Sequence, residues 1–154
     1  MILDSVSCSW PQYLDDLEQH IVFAAYPAEV TWSHLKARVP AACQGVALAF
    51  HDSEDPVCSA FIHLVNGAPT FACQPAFWSL NLTRTFELRH SLAGATLVRV
   101  PIRAGNLLLG SLGLLFDELH PPLRSDLWAF KRFGVTLAEV LLLNQNFPLT
   151  VSYA

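Results

Sequence analysis

The spacing of hydrophobic residues predicts two helices within residues 1–40. Apolar side chains recur at helical spacing at Leu14, Leu17, Ile21 and Ala25. They predict a helix over residues 11–25, which Ser9 can cap and Pro27 is expected to end. A second, shorter helix is predicted over residues 31–39.

The middle of the chain, residues 45–116, predicts an antiparallel sheet of about five to six strands. Hydrophobic and polar residues alternate there in short runs that are separated by turn residues. The strands are predicted over residues 45–51, 57–65, 70–73, 96–102 and 107–116. The first two form one hairpin and the last two form another, because polar turns connect them.

Residues 74–95, between the two hairpins, are the least regular part of the chain and are rich in aromatic residues. Their apolar side chains do not follow the period of a strand. A helix is predicted over residues 83–91, and Gly94 is expected to end the segment.

A long helix is predicted within residues 125–146, capped by Ser125 and running from residue 126 to about residue 145. Its main apolar stripe consists of Leu127, Phe130, Gly134, Leu137 and Leu141. A second stripe, at intervals of seven residues, consists of Trp128, Val135 and Leu142. A helix that is apolar on two sides packs on its own sheet and on something else.

The length of 154 residues indicates a single domain over residues 1–154. The composition indicates more apolar surface than the core of such a domain needs. The hydrophobic fraction is 53% and the charged fraction 14%, against ordinary values of about 45–50% and about 25%. This excess predicts a surface that a partner or a second subunit covers. A net charge of −4 without a basic patch argues against nucleic-acid binding. No apolar run is long enough for a membrane span and the N-terminus lacks the basic region of a signal peptide, so a cytoplasmic location is expected.

Two segments of the C-terminal third resemble a GAF domain. Residues 100–116 read VPIRAGNLLLGSLGLLF, which is similar to the family's Val/Ala-Pro-Leu strand, turn and Gly-Val-Leu strand. Residues 125–142 read SDLWAFKRFGVTLAEVLL, which is similar to the family's final helix. The N-terminal half is similar in the order of its elements only. The resemblance implies an α/β (α+β) fold, in which an antiparallel sheet carries the N- and C-terminal helices packed together on one face. PAS and roadblock-like domains share this composition, but a PAS domain would place three strands last and a roadblock-like domain would be shorter.

The resemblance also implies a place for a ligand, because in GAF domains the pocket lies between the sheet and the irregular segment before the last hairpin. Apolar walls with a few polar groups are typical of ligand sites. Phe71 and Trp78 would line the pocket, and Arg84 and Arg99 would orient an acidic group of the ligand. The alternative is that the aromatic side chains fill the pocket.

No catalytic residue, metal site or cofactor is predicted. The Cys-His pair that holds bilins in some GAF domains is absent, since Gln74 follows Cys73. Cys58 and Cys73 leave open a thiol-dependent reductase of small molecules, although the glycine-rich stretch of the GAF-type methionine sulfoxide reductases is missing. Free, buried thiols are the default interpretation of the four cysteines.

The sequence favours a non-catalytic regulatory or assembly module, which acts as a homodimer or through a protein partner. The resemblance implies that the terminal helices pair across a two-fold axis. The predicted interface residues are Tyr13, His20, Trp128, Val135 and Leu142. The chain's own residues 147–153 are the alternative cover for this surface. The second hypothesis is a small-molecule sensor that signals through the pocket of residues 71–99.

Overall fold

A computed structural model describes residues 5–6, 9–40, 42–50, 60–65, 68–74, 77–78, 89–92 and 94–143. The elements in chain order are β1 (Ser5–Val6), α1 (Trp10–Ile21), α2 (Pro27–Ala37), β2 (Val39–Pro40), β3 (Cys43–Phe50), β4 (Ala60–Leu64), a 3-10 turn (Thr70–Cys73), β5 (Arg89–Leu92), β6 (Ala95–Ala104), β7 (Leu107–Asp117) and α3 (Arg124–Leu143). The predicted mixed α+β class, with an antiparallel sheet and helices toward both ends, is confirmed.

The start of α1 follows the prediction, and its end does not. The backbone N–H of Gln12 donates to Ser9 Oγ at 3.4 Å, so Ser9 caps the helix. The helix ends at Ile21, and Pro27 opens α2 instead of ending α1. Proline suits the first turn of a helix because its fixed φ is helical and no hydrogen bond is lost there.

The main sheet has the strand order β4-β3-β7-β6-β5, and all neighbours are antiparallel. Its centre is the pairing of β3 with β7, which joins the first hairpin to the last. Four of its strands have five residues or more, and β5 is a four-residue edge strand. The sheet therefore has fewer substantial strands than the five to six that the sequence predicted. A separate pair, β1 with β2, is parallel.

Two predicted elements before the last hairpin are wrong. Residues 70–73 form a 3-10 turn instead of a strand, with the N–H of Ala72 donating to the carbonyl oxygen of Pro69 at 3.0 Å. Residues 89–91, predicted as the end of a helix, belong to β5, where Arg89 pairs with Val98. The rest of that predicted helix, residues 83–88, lies outside the described residues. β5 forms a tight hairpin with β6, in which Leu92 pairs with Ala95. The helical spacing of residues 83–91 carries no information about this pairing.

The helices pack on one face of the main sheet and form the larger core with it. Trp10 of α1 contacts Phe130 of α3 edge to face, with ring centroids 4.9 Å apart. Alternate residues of β6 and β7 point toward the helices, among them Val98, Val100, Ile102, Leu112 and Leu114. Each such side chain stabilises the fold by about 1.5–3 kcal/mol when it is fully buried.

The helix α3 faces this core with its predicted main stripe, but its cap differs from the prediction. Phe130, Gly134, Leu137 and Leu141 are buried. Ser125 lies inside the helix, and the Asp126 carboxylate instead accepts from the N–H of Leu123 at 2.8 Å. An acid three residues into a helix can reach back in this way and satisfy a free N–H group.

Replacing Gly134 with alanine should destabilise the fold by about 1–3 kcal/mol, because a Cβ there overpacks the contact between α3 and β6. That atom would overlap the carbonyl oxygen of Pro101 and lie 3.0 Å from Val100 Cγ1. Helix propensity alone predicts the opposite sign, a gain of about 1 kcal/mol. Urea unfolding measures the difference. The exposed control Lys131→Ala should change stability by less than about 0.5 kcal/mol, and a stabilised Gly134→Ala protein would contradict the close approach.

Candidate functional site

The second face of the main sheet, opposite the helices, is built from small side chains and forms a separate, smaller core. Its buried residues on the strands are Ala47, Ala49, Ala95, Leu97 and Leu115. The described part of the segment between β4 and β5 covers one side of this face with Ala72 and Trp78. Small residues on a sheet leave room above it for large aromatic side chains or for a ligand.

Trp78 fills the space above β3. It is fully buried, and its Nε1 donates to the carbonyl oxygen of Ala72 at 2.8 Å. Gly45 lies beneath it: a Cβ at this position would be 3.4 Å from Trp78 Cζ2, an ordinary contact, and 2.9 Å from Leu64 Cδ2, which is too close. The indole therefore fills the space over β3 on the second face, and its N–H donor is already hydrogen-bonded within the protein.

Phe71, the other predicted aromatic wall, joins the same cluster. Its ring contacts Phe77 edge to face at 5.0 Å, and Phe77 contacts Trp78 at 5.2 Å. Phe71 is half-buried. The structure thus brings Phe71 and Trp78 together as a wall on the second face.

Arg99 lies on the same face of the sheet, on β6, and is only 4% exposed. Its Nη1 donates to Ser111 Oγ of β7 at 3.2 Å, whereas its Nε has no hydrogen-bond partner. Desolvation by burial, with a smaller contribution from Arg103, lowers the pKa of Arg99. A buried guanidinium with a free donor is costly unless an anion compensates it. No described carboxylate forms an ion pair with it.

Sequence reasoning missed Ser111, the hydroxyl that orients this guanidinium. Ser111 is fully buried and is the one residue with a polar side chain between Leu107 and Phe116. A polar residue inside an apolar strand was the available signal. Arg84, the second predicted arginine, lies outside the described residues.

Of the predicted interface residues, Tyr13 is placed inside the protein. It is buried, and its hydroxyl donates to the carbonyl oxygen of Arg38 at 2.7 Å. It also lies 3.4 Å from the carbonyl oxygen of His34. The carbonyl oxygen of His34 already accepts from the N–H of Arg38 at 3.4 Å, and Arg38 directly follows the last residue of α2. Tyr13 therefore ties α1 to the end of α2 and is buried there.

The other four predicted interface residues are exposed. Trp128, Val135 and Leu142 lie on the outer side of α3, with 67%, 41% and 49% of their surface exposed. His20 lies on α1, where its Nδ1 is 2.7 Å from the carbonyl oxygen of Asp16. The structure therefore places the three residues of the second stripe together on one helix and places His20 on another.

A groove of about 610 Å³ between α1 and α2 was also missed by sequence reasoning. Asp15, Asp16, His34 and Arg38 line it. Burial, and then nearby His20, lower the pKa of His34 below its usual 6.5, so its imidazole is neutral at neutral pH. In the described part of the chain, no group of three or more His, Cys, Asp or Glu side chains is arranged to hold a metal ion.

Comparisons with known proteins give no matching family model, curated protein or solved structure. None of the described helices is long and apolar enough to cross a membrane.

Replacing Arg99 with methionine should leave the ligand-free protein as stable as the wild type, or stabilise it by about 1–3 kcal/mol, because a buried charge is removed and the volume is kept. Urea unfolding gives the free energy of unfolding. The neighbouring control Leu97→Ala should cost about 2–5 kcal/mol, as ordinary core truncations do. A comparable loss in Arg99→Met would show that the guanidinium stabilises the fold.

The described cysteines should differ sharply in reactivity. Burial raises the pKa of Cys43 to about 12, so its thiol stays protonated, whereas Cys73 is exposed. Because the thiolate is the nucleophile, iodoacetamide at pH 8 should label Cys73 and spare Cys43 in the folded protein. Peptide mass spectrometry separates these sites from Cys8 and Cys58, which lie outside the described residues. Equal labelling in folded and urea-unfolded protein would contradict the burial of Cys43.

Proposed function

We propose that this protein is a non-catalytic, GAF-like ligand-binding module that holds an acidic small molecule on the second face of its sheet. The observation that carries the proposal is Arg99, a buried guanidinium whose Nε has no partner. Arginine presents its donors as a rigid fork that matches the two oxygens of a carboxylate or phosphate. Ser111 holds one arm of the fork and leaves another donor for the ligand.

The surroundings of Arg99 suit a small molecule with an apolar body. Phe71 and Trp78 lie on the same face of the sheet, over β3, and the strands of this face carry Ala47, Ala49 and Ala95. Ligand sites combine such apolar walls with a few polar groups that fix orientation. The GAF resemblance supports the same location, because it implies a ligand between the sheet and the segment before the last hairpin.

The position of Arg99 on β6 supports a sensor function. The same strand carries Val100 and Pro101, which lie against Gly134 of α3. An anion that binds Arg99 would therefore alter a strand in direct contact with the long helix. Regulation through a bound metabolite is the role we assign to this site.

Thermal unfolding in the presence of anions tests the proposal. Inorganic phosphate, acetate and benzoate should raise the Tm of the wild type relative to chloride at equal ionic strength. A ligand at 100 times its Kd stabilises by about 2.7 kcal/mol, which is readily measured. Arg99→Met should abolish the shift, because the fork is lost, and Ser111→Ala should reduce it.

Arg103→Met is the matched control, since Arg103 is an exposed arginine on the same strand. It should keep the response to anions. If no anion shifts the wild type, or if Arg99→Met responds as the wild type does, the site does not bind anions.

A second candidate function is an assembly module, which the exposed stripe of α3 favours. Trp128, Val135 and Leu142 are large apolar side chains that lie in a line on the outer side of this helix. Such alignment is typical of an interaction surface, whereas single exposed apolar residues are ordinary. A thiol reductase would use Cys58 and Cys73; of these, Cys73 is exposed and Cys58 lies outside the described residues.

A further inference from the structure

We infer that the outer edge of β4 binds an extended peptide segment of a partner protein, one in which acidic and apolar residues alternate. The segment would add a sixth strand to the five-stranded main sheet, in the groove between β4 and the end of α2. This surface is separate from the anion site, because β3 and β7 lie between β4 and β6, the strand that carries Arg99. The inference therefore stands independently of the proposed function.

The outer edge of β4 presents backbone groups that the sheet does not use. β4 is the outermost strand on its side of the sheet, and in the described part of the chain no strand pairs with its other edge. The N–H of Val65, next to β4, donates to the carbonyl oxygen of Gln44 at 2.9 Å, so Val65 and every second residue before it face β3. Backbone groups alternate in direction along a strand, so the N–H and C=O groups of Ile62 and Leu64 point away from the sheet. A further strand would bind these groups.

A groove lies beside this edge, between β4 and the end of α2. Its volume is about 290 Å³, and residues 35–39 and 63–65 line it. On the same side of the sheet, α2 contacts β4 directly, since the rings of Trp32 and Phe61 have their centroids 5.9 Å apart. An extended chain that lies along the edge of β4 would therefore be flanked by the end of α2 as well.

The charge of the groove selects an acidic partner. Lys36, Arg38 and His63 line it, and none of the described residues that line it is acidic. Lys36 and Arg38 are two of only nine lysines and arginines in a chain of net charge −4, so positive charge is concentrated here. Although Arg38 also lines the groove that carries Asp15 and Asp16, it forms no ion pair with a described carboxylate. Its exposed guanidinium can therefore bind a carboxylate of the partner.

The two faces of β4 set the pattern of the partner's side chains. His63 pairs with Val46, which belongs to the core on the helix side, so His63 lies on the side of α2. Ile62 and Leu64 lie on the second face and are half-buried against the smaller core. Side chains that are directly opposite on neighbouring strands lie together on one face. A strand added to β4 would thus place acidic residues toward α2 and apolar residues beside Ile62 and Leu64, in alternation.

Fluorescence anisotropy with a labelled heptapeptide of alternating glutamate and valine, EVEVEVE, tests the inference on the full chain. The wild type should bind this peptide with a Kd of about 10⁻⁴ M or below. Binding should weaken as salt is added, because exposed charges are screened. The same residues in blocks, EEEEVVV, should bind at least about tenfold more weakly, since they cannot place acidic and apolar side chains on opposite faces of a strand.

Proline at position 64 tests whether the backbone of β4 makes the contact. Leu64→Pro removes an N–H group that points away from β3, and proline is tolerated on an edge strand in this orientation. The circular dichroism spectrum should therefore be unchanged. Leu64→Ala is the matched control, because it loses the same side chain and keeps the N–H group. Leu64→Pro should bind EVEVEVE about tenfold more weakly than Leu64→Ala, the effect of one lost hydrogen bond.

Charge reversal tests the acidic class of the partner. Arg38→Glu should weaken the binding of EVEVEVE at least about tenfold, because like charges across an interface repel each other. The fold should be retained, since Arg38 contributes its backbone carbonyl, and not its side chain, to the hydrogen bond with Tyr13. Arg124→Glu is the control, because Arg124 is an exposed arginine on α3 and gives the same change in net charge. It should bind the peptide as the wild type does.

Three outcomes would overturn the inference. The first is a wild type that does not bind EVEVEVE, or that binds EEEEVVV equally well. The second is equal binding by Leu64→Pro and Leu64→Ala, which would show that the peptide does not pair with β4. The third is a wild type that light scattering shows to be a dimer without peptide and that Leu64→Pro converts to a monomer, because a second copy would then occupy the edge. None of these results bears on anion binding at Arg99.

Discussion

The structure depends on β7, the strand that is paired on both edges and buried on both faces. It lies between β3 and β6, and it is the only route by which the two hairpins become one sheet in the described part of the chain. Its alternate residues serve two cores: Leu112 and Leu114 face the helices, while Leu115 faces the covering segment. A strand in this position is nearly continuously apolar, because neither face meets water.

Because β7 is buried on both faces, a polar side chain on it, such as that of Ser111, needs a hydrogen-bond partner inside the protein. Ser111 occurs where an apolar side chain would satisfy the fold, and its hydroxyl accepts from a buried arginine. Neither residue improves the core, since a guanidinium with a free Nε costs solvation energy that one hydroxyl does not restore. A local conflict with the requirements of folding is most often found where a protein binds something. Arg99 and Ser111 are thus the residues of this face that the fold does not need.

The long helix α3 has the same two-sided character. Its inner side is fixed by Gly134, which lets the helix approach the backbone of β6 closely. Its outer side exposes Trp128, Val135 and Leu142, which the packing on the sheet does not use. Burying one side of a helix satisfies the packing within one chain, and that packing does not require a second apolar side. The apolar excess of the composition is therefore accounted for partly by the second core and partly by this helix.

The sequence by itself determined the elements that local pattern controls. The helical spacing of α1 and α3, the Ser9 cap and the last hairpin follow from periodicity and turn residues that lie close together in the chain. The exposure of Trp128, Val135 and Leu142 was likewise implicit in their interval of seven residues.

Only the tertiary structure decided the features that need a distant partner. Tyr13 is buried because α1 packs against the end of α2, where the carbonyl oxygen of Arg38, 25 residues away in the sequence, accepts from its hydroxyl. Arg99 meets Ser111 through the pairing of β6 with β7, 12 residues apart in sequence. The spacing of residues along the chain predicts the side of a helix or strand on which a side chain lies. The packing of the elements decides which atoms that side chain contacts.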